Sequence, residues 1–327
     1  MRIKKILASS AIMLSLGLAI SLIINFLGWF PDRVLTAGIR ADITVLVLAI
    51  MMTISLSRIP YRNLNPVRYS RSVTRAVLLG LVVAAIIPII GFLLMKNTGW
   101  KNEAMGLVFI AAAPFAASVV PLSYTLRGDM EHAGRGTILT YIFSLVWIPF
   151  VIWILLGEVV EMRGVFITVI EIIGVPLVLS RLLTKVKIDR DTMGIMMNLF
   201  ISFLVILSVS STKFPPVFAP IALFAVISAI RTFVVGTGVE VVEKKLGIGW
   251  AQRVTDVLMV SYRNKGIAIA LCVATLPGNL ASVAMVAIAT SIVVEIIWVV
   301  FMDSVLFSKK RMKTETGLDR ASEIGEA

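Results

Sequence analysis

The chain is poor in charge, cysteine and histidine. Of its 327 residues only 15 % are charged, with a single cysteine and a single histidine. One cysteine excludes a disulfide framework and any cysteine-cluster metal site. One histidine leaves no His-based metal cluster or nucleophile–base pair, so an intramembrane enzyme is not expected and no cofactor is called for. Low-complexity tracts and short repeats are also missing, which excludes a disordered or fibrous chain. What is abundant is apolar sequence: 58 % of residues are hydrophobic and the mean hydropathy is +0.97. Soluble domains hold ~45–50 % apolar and ~25 % charged residues. This composition excludes a soluble enzyme and predicts a multi-pass helical protein in a lipid bilayer.

A spanning helix needs ~20 mostly apolar residues. Ten such stretches are expected, at 8–30, 41–57, 73–95, 104–126, 134–156, 164–183, 194–211, 216–236, 255–276 and 280–306. Unbroken runs of this length argue for helices, since barrel strands alternate over ~10 residues. The apolar run from Ile6 to Phe30 is too long for a ~7–15-residue signal core and reads as an uncleaved first helix. The net charge of +12 is not a nucleic-acid footprint. With the N-terminus inside, 22 Lys and Arg fall on inner segments and six on outer ones. This bias predicts both termini in the cytoplasm and an even number of spans in the cell membrane. Trp29, Trp100 and Trp250 sit at expected span borders.

Two expected spans are irregular. The fourth, "GLVFIAAAPFAASVVPLSYTLRGD", carries Pro114 and Pro121, each lacking a backbone donor. The ninth, "TDVLMVSYRNKGIAIALCVATLPG", places Arg263, Asn264, Lys265 and Gly266 in the middle of an apolar run. Charges at that depth cost a few kcal/mol or more. Fourth and ninth of ten are matching positions of two five-span halves, which an odd span count makes inverted. Paired interrupted segments are a pointer to a transporter's central site.

At these residues the sequence resembles the bile acid:sodium symporter family, within a superfamily that also holds arsenite permeases. "AAAPFAASVVPLSYTLRGD" resembles that family's first crossover helix, with Ala113, Pro114, Tyr124, Arg127, Gly128 and Asp129 in place. "ISLSRIPYRNLNPVRYSRSVTRAVLLGL" is similar to its second span, basic loop and third span. "SYRNKGIAIALCVATL" is similar to its second crossover, with Asn264 and Gly266 in register. The resemblance implies an all-α membrane protein of ten helices in two inverted repeats, residues 1–156 and 157–308, before a tail at 309–327. Spans 3–5 and 8–10 form a core domain in which the broken helices 4 and 9 cross, and spans 1, 2, 6 and 7 form a panel domain. It implies a secondary active transporter of a small organic anion working by alternating access, with arsenite or oxyanion efflux as the alternative. The fourth span lacks the cysteine of the arsenite permeases.

The departures bear on coupling. Against the oxygen ligands of sodium-coupled members this chain has Met259 for a Glu, Arg263 for a Gln and Lys265 for a Ser. Val119 and Val120 replace a Ser-Asn pair, with Ser118 adjacent. The usual sodium sites are therefore not expected; the coupling ion is left as sodium or a proton. The expected substrate- or ion-binding residues are Pro114, Ala117, Ser118, Ser261, Arg263, Asn264 and Lys265. Three roles stay open for the two cations: standing in for sodium, holding an anionic substrate, or pairing with Glu171, Asp256 or Glu295. Of the two, Lys265 is expected to be the structural cation and Arg263 the more accessible. Glu171 and Glu295 are candidate coupling carboxylates. Arg231 is expected to snorkel to the interface, His132 to lie solvated in a loop, Cys272 to pack as an apolar residue, and the tail to be disordered.

Overall fold

The computed structural model describes residues 7, 10–57, 59, 69–186, 189–215 and 217–316. Among these the chain is helical throughout, with a single isolated bridge and no strand. The helices are α1 (Ser10–Phe26), α2 (Ala37–Leu56), α3 (Ser70–Met95), α4 (Lys101–Ala112), α5 (Val119–Thr125), α6 (Met130–Leu156), α7 (Met162–Leu179), α8 (Arg190–Ser210), α9 (Ala219–Lys245), α10 (Trp250–Ser261), α11 (Lys265–Thr275), α12 (Gly278–Leu306) and α13 (Lys309–Thr316).

Seven described helices are long and apolar enough to cross a bilayer: α2, α3, α6, α7, α8, α9 and α12. The other three expected spans fall short for identifiable reasons. The first is seen as a short apolar helix because part of its N-terminal side lies outside the described residues. The fourth and ninth are each cut into two pieces, α4 with α5 and α10 with α11.

The cut helices lie innermost. α4 is buried on every side from Ala104 to Ala112, α10 from Arg253 to Ser261 and α11 from Lys265 to Cys272. The α4 stretch is apolar all round, as an interior helix is, whereas α10 and α11 also bury Arg253, Asp256 and Lys265. Large apolar side chains such as Leu94, Val146, Trp153 and Val178 point outward from the uncut helices, as lipid-facing residues do. α1 lies along α8, and α2 along α7 and α8. α4 packs against α3, α6 and α12, while α10 packs against α9. Gly106 of α4 meets the carbonyl of Ala284 in α12, where any side chain would collide. Such small-residue contacts let backbones approach where lipid gives no hydrophobic drive.

Four uncut helices contain a widened turn: Leu78–Val83 in α3, Ile170–Gly174 in α7, Ile230–Val234 in α9 and Met302–Leu306 in α12. In α7 a cause is visible. Pro176 has no N–H for the carbonyl of Ile172, and the turn before it opens. Arg127 has φ of 62°, ending α5 in a left-handed turn. Asp129 then caps α6 through its Oδ1, which accepts from the His132 N–H at 2.9 Å.

Candidate functional site

The two breaks face each other. α4 stops at Ala112 because Ala113 is extended and Pro114 cannot donate. α10 stops at Tyr262, also extended, and Asn264 caps α11 by accepting from the Ile267 N–H at 3.0 Å. Residues 113–118 and 262–264 run antiparallel, with Phe115 opposite Arg263. The Ala116 N–H donates to Tyr262 O at 3.0 Å, and the Asn264 N–H donates to Pro114 O at 2.8 Å. Backbone groups freed from the helices thus find partners in each other, as irregular backbone within a membrane requires. Tyr141 of α6 locks the pairing. Its hydroxyl donates to Phe115 O at 3.0 Å and accepts from Asn264 Nδ2 at 3.0 Å.

Around this junction lie three buried cations. Arg263, 1 % exposed, is seated on carbonyls. Its Nε donates to Ile110 O at 3.0 Å, its Nη2 to Ala111 O at 2.5 Å and its Nη1 to Gly80 O. Ile110 and Ala111 are in the last turn of α4, whose carbonyls lack helical partners. Gly80 lies in the widened turn of α3. The Phe115 ring rests on Gly80 so closely that a Cβ there would come within 2.4 Å of it. Lys265 and Arg231 share Glu295 of α12. Lys265 Nζ is 2.8 Å from Glu295 Oε1, and Arg231 Nη2 donates to the same oxygen. The lysine contact is an ion pair without well-directed hydrogen-bond geometry. Arg231 also donates to Ser261 O at 2.8 Å, and the Arg263 N–H reaches Glu295 Oε1 at 3.4 Å. Trp298 Nε1 donates to Ser261 Oγ at 2.8 Å. Three cations against one carboxylate leave an excess positive charge at the point where the two breaks meet.

Pro114, Ala117, Ser118, Ser261, Arg263, Asn264, Lys265 and Glu295 come together here, from both breaks and α12. Glu171 does not. It lies exposed on α7, inside the widened turn and away from the cation cluster. Met259 is fully buried and its thioether lies against Gly136 of α6. Cys272 is fully buried. Four expectations need correction. Arg231 does not snorkel, since its guanidinium is 1 % exposed and ends on Glu295. Arg263 is not the accessible cation, because three carbonyls hold it inside. His132 is 1 % exposed in the first turn of α6 rather than in a solvated loop. Residues 309–316 form α13, tied by Glu315 to Lys244 at 2.8 Å and to Arg253 at 2.7 Å; the remainder of the expected tail lies outside the described residues.

Sequence reasoning missed Gly80 and Tyr141. A signal for Tyr141 exists: Thr137, Thr140, Tyr141 and Ser144 form one polar stripe at helical spacing along α6. Nothing local marks the Gly80 carbonyl as a ligand.

Residues 45–244 match the sodium bile acid symporter family, and the chain belongs to that family. The match takes in the first break and stops short of the second, where Arg263 and Lys265 stand. No curated protein matches the chain in sequence. It is a multi-pass membrane protein, a transporter of the bile acid:sodium symporter kind.

Proposed function

We propose that this member of the sodium bile acid symporter family is a secondary active transporter of a small organic anion, in which side-chain cations occupy the positions where sodium-coupled relatives hold ions. The observation that carries the reading is Arg263 on the carbonyls of Gly80, Ile110 and Ala111. A cluster of carbonyl oxygens at a helix end is what a bare cation seeks, and here a guanidinium fills it. Lys265 and Arg231 add charge beyond what Glu295 neutralises, and that surplus favours an anion over a cation as the transported species.

Alternating access is read from how the helices sort. Counting α4 with α5 and α10 with α11 as single spans gives ten, in two inverted halves. Several packing relations exchange under that pairing: α1 on α8 against α7 on α2, and α3 on α6 against α9 on α12. Widened turns sit in the equivalent helices α3 and α9. The core then consists of α3–α6 and α9–α12, and α1, α2, α7 and α8 form the panel. A recess of about 20 Å³ bounded by Arg40, Ser211, Ser282 and Met285 lies between the two groups. The basic bias of one set of connections supports a cytoplasmic-membrane setting with both termini inside.

Thermal unfolding of the purified protein against a series of organic anions, in sodium and in potassium buffers, tests this. A ligand at 100 times its Kd stabilises by ~2.7 kcal/mol. At least one anion is expected to raise Tm equally in both buffers. Stabilisation that requires sodium would mean that Arg263 does not replace the ion.

A further inference from the structure

The second pieces of the two broken spans sit in different surroundings. In the paired halves described above, α4 corresponds to α10 and α5 to α11, so α5 and α11 would match in a symmetric molecule. α11 is buried on every side from Lys265 to Cys272. The panel helices α2 and α7 lie along it. Leu48 of α2 comes so near that a Cβ on Gly266 would stand 2.7 Å from its Cδ1. α5 instead packs on α6 and α10 of its own domain. Pro121, Tyr124 and Thr125 share one face of α5, and that face is exposed. Unequal cover of equivalent elements is what one member of a pair of alternating states shows.

The covered end carries the α1–α2, α8–α9 and α11–α12 connections, which the basic bias puts outside. There the panel meets the core backbone to backbone. The Lys213 N–H, just past α8 of the panel, donates to Ser282 O of α12 in the core at 3.1 Å. Ala37 begins α2 and Gly278 begins α12. They approach so closely that a Cβ on Gly278 would stand 2.4 Å from the Cβ of Ala37. Ala37, Gly278 and Ser282 also line the recess of about 20 Å³ that holds Arg40, Ser211 and Met285. That volume admits about one water molecule and no organic anion. Both contacts are easily reversed. A methyl against a glycine parts without unpacking a side chain, and an amide at a loop can return to water.

We propose that the contacts Ala37–Gly278 and Lys213–Ser282 are the outer gate of the transporter, shut in this structure, and that opening it moves the panel's cover from α11 to α5. The proposal rests on the transport reading above and names the residues that such a movement has to separate. α8 and α1 are the equivalents of α2 and α7, so in the opened state they lie along α5 as α2 and α7 now lie along α11. The exposed face of α5 is then the part of the inner side that closes.

The test measures thiol reactivity in the full-length protein carrying Cys272→Ala. One reporter is Met285→Cys in the recess, where Met285 is 1 % exposed; the other is Pro121→Cys on the exposed face of α5. With the gate shut, a charged methanethiosulfonate is expected to modify Pro121→Cys at least ~10 times faster than Met285→Cys. Adding Gly278→Ala forces the two methyl carbons apart toward the ~3.5–4.0 Å of ordinary contact. The Met285→Cys rate is then expected to rise about ten-fold and the Pro121→Cys rate to fall by a similar factor. Adding Ala37→Gly as well moves the methyl across the contact and should restore both rates. If Gly278→Ala does not fold, Lys213→Pro removes the donor of the other contact and is read in the same way. Equal reactivity of the two reporters before the wedge is added, rates that rise together, or rates that the wedge leaves unchanged would each overturn the gate. Taurocholate flux into proteoliposomes is followed in the same variants. Exchange of the thiol rates without flux removes the transport reading and leaves the gate standing, and flux without exchange of the rates does the reverse.

Discussion

Replacing Glu295 with glutamine keeps the shape of the side chain and removes its charge. The consequence follows from what Glu295 holds. It is 3 % exposed and faces Lys265 at 2.8 Å and Arg231 in an even closer contact. At that separation one ion pair is worth ~6 kcal/mol with an effective dielectric constant of ~20, set against several kcal/mol of lost hydration per ion. Removing one partner of a buried pair costs ~3–5 kcal/mol. Glu295→Gln strands two cations that repel each other, so the upper end of that range is expected. At roughly 2 °C per kcal/mol this lowers Tm by about 10 °C. Lys265→Met should behave differently. It relieves the burial of an ion and leaves the Arg231–Glu295 pair whole, so a change within ~1 kcal/mol is expected. The double variant should recover part of the Glu295→Gln loss, because only Arg231 is then left without a counter-ion. Thermal unfolding in detergent, followed by tryptophan fluorescence, reads all three. A Glu295→Gln protein as stable as the wild type, or a Lys265→Met protein as damaged as Glu295→Gln, would refute the charge arrangement.

Two further outcomes are expected. In Gly80→Ala the new Cβ would sit 2.4 Å from the Phe115 ring; the ring must move, at a cost of ~1–3 kcal/mol, and amide exchange at 113–118 should accelerate, whereas unchanged exchange would mean that Phe115 does not pin the break. Burial pushes the Glu315 carboxyl up, but hydrogen bonds from Lys244, Arg253 and Arg311 outweigh it and hold it at about 2 instead of 4.5. A depressed pKa stabilises the docked α13 above the ordinary value and loses that contribution as pH falls through about 2, so amide exchange across residues 309–316, corrected for the intrinsic rate, should rise on acidification and stay flat in Glu315→Gln.

The breaks were legible because their causes are local. Pro114 cannot donate, and Arg263-Asn264-Lys265-Gly266 cannot sit in lipid as an ordinary helix. The partners of those residues were not legible, because they come from distant helices. Gly80 is 183 residues from Arg263 and Tyr141 is 123 from Asn264. Only tertiary packing brings them together, and an apolar run of sequence does not announce which carbonyl will be left over. His132 is easily misread because "RGDMEHAGRG" looks like a loop, although Asp129 three residues earlier is an N-cap signal. Arg231 looks like a snorkelling residue because the expected span ends at 236; the helix runs on to Lys245, which puts Arg231 at its middle, and its carboxylate partner, 64 residues on, is not legible.

Arg263 is joined to the chain that it stabilises, and that changes the thermodynamics of its site. A free ion fills carbonyls by mass action, and its occupancy follows the salt outside. A guanidinium on its own backbone has no dissociated state short of local unfolding, and its effective concentration is fixed by covalent geometry. Occupancy of those carbonyls therefore carries no information about the surroundings. The site works as a permanent structural cross-link between α3, α4 and α10, insensitive to the salt on either side of the membrane.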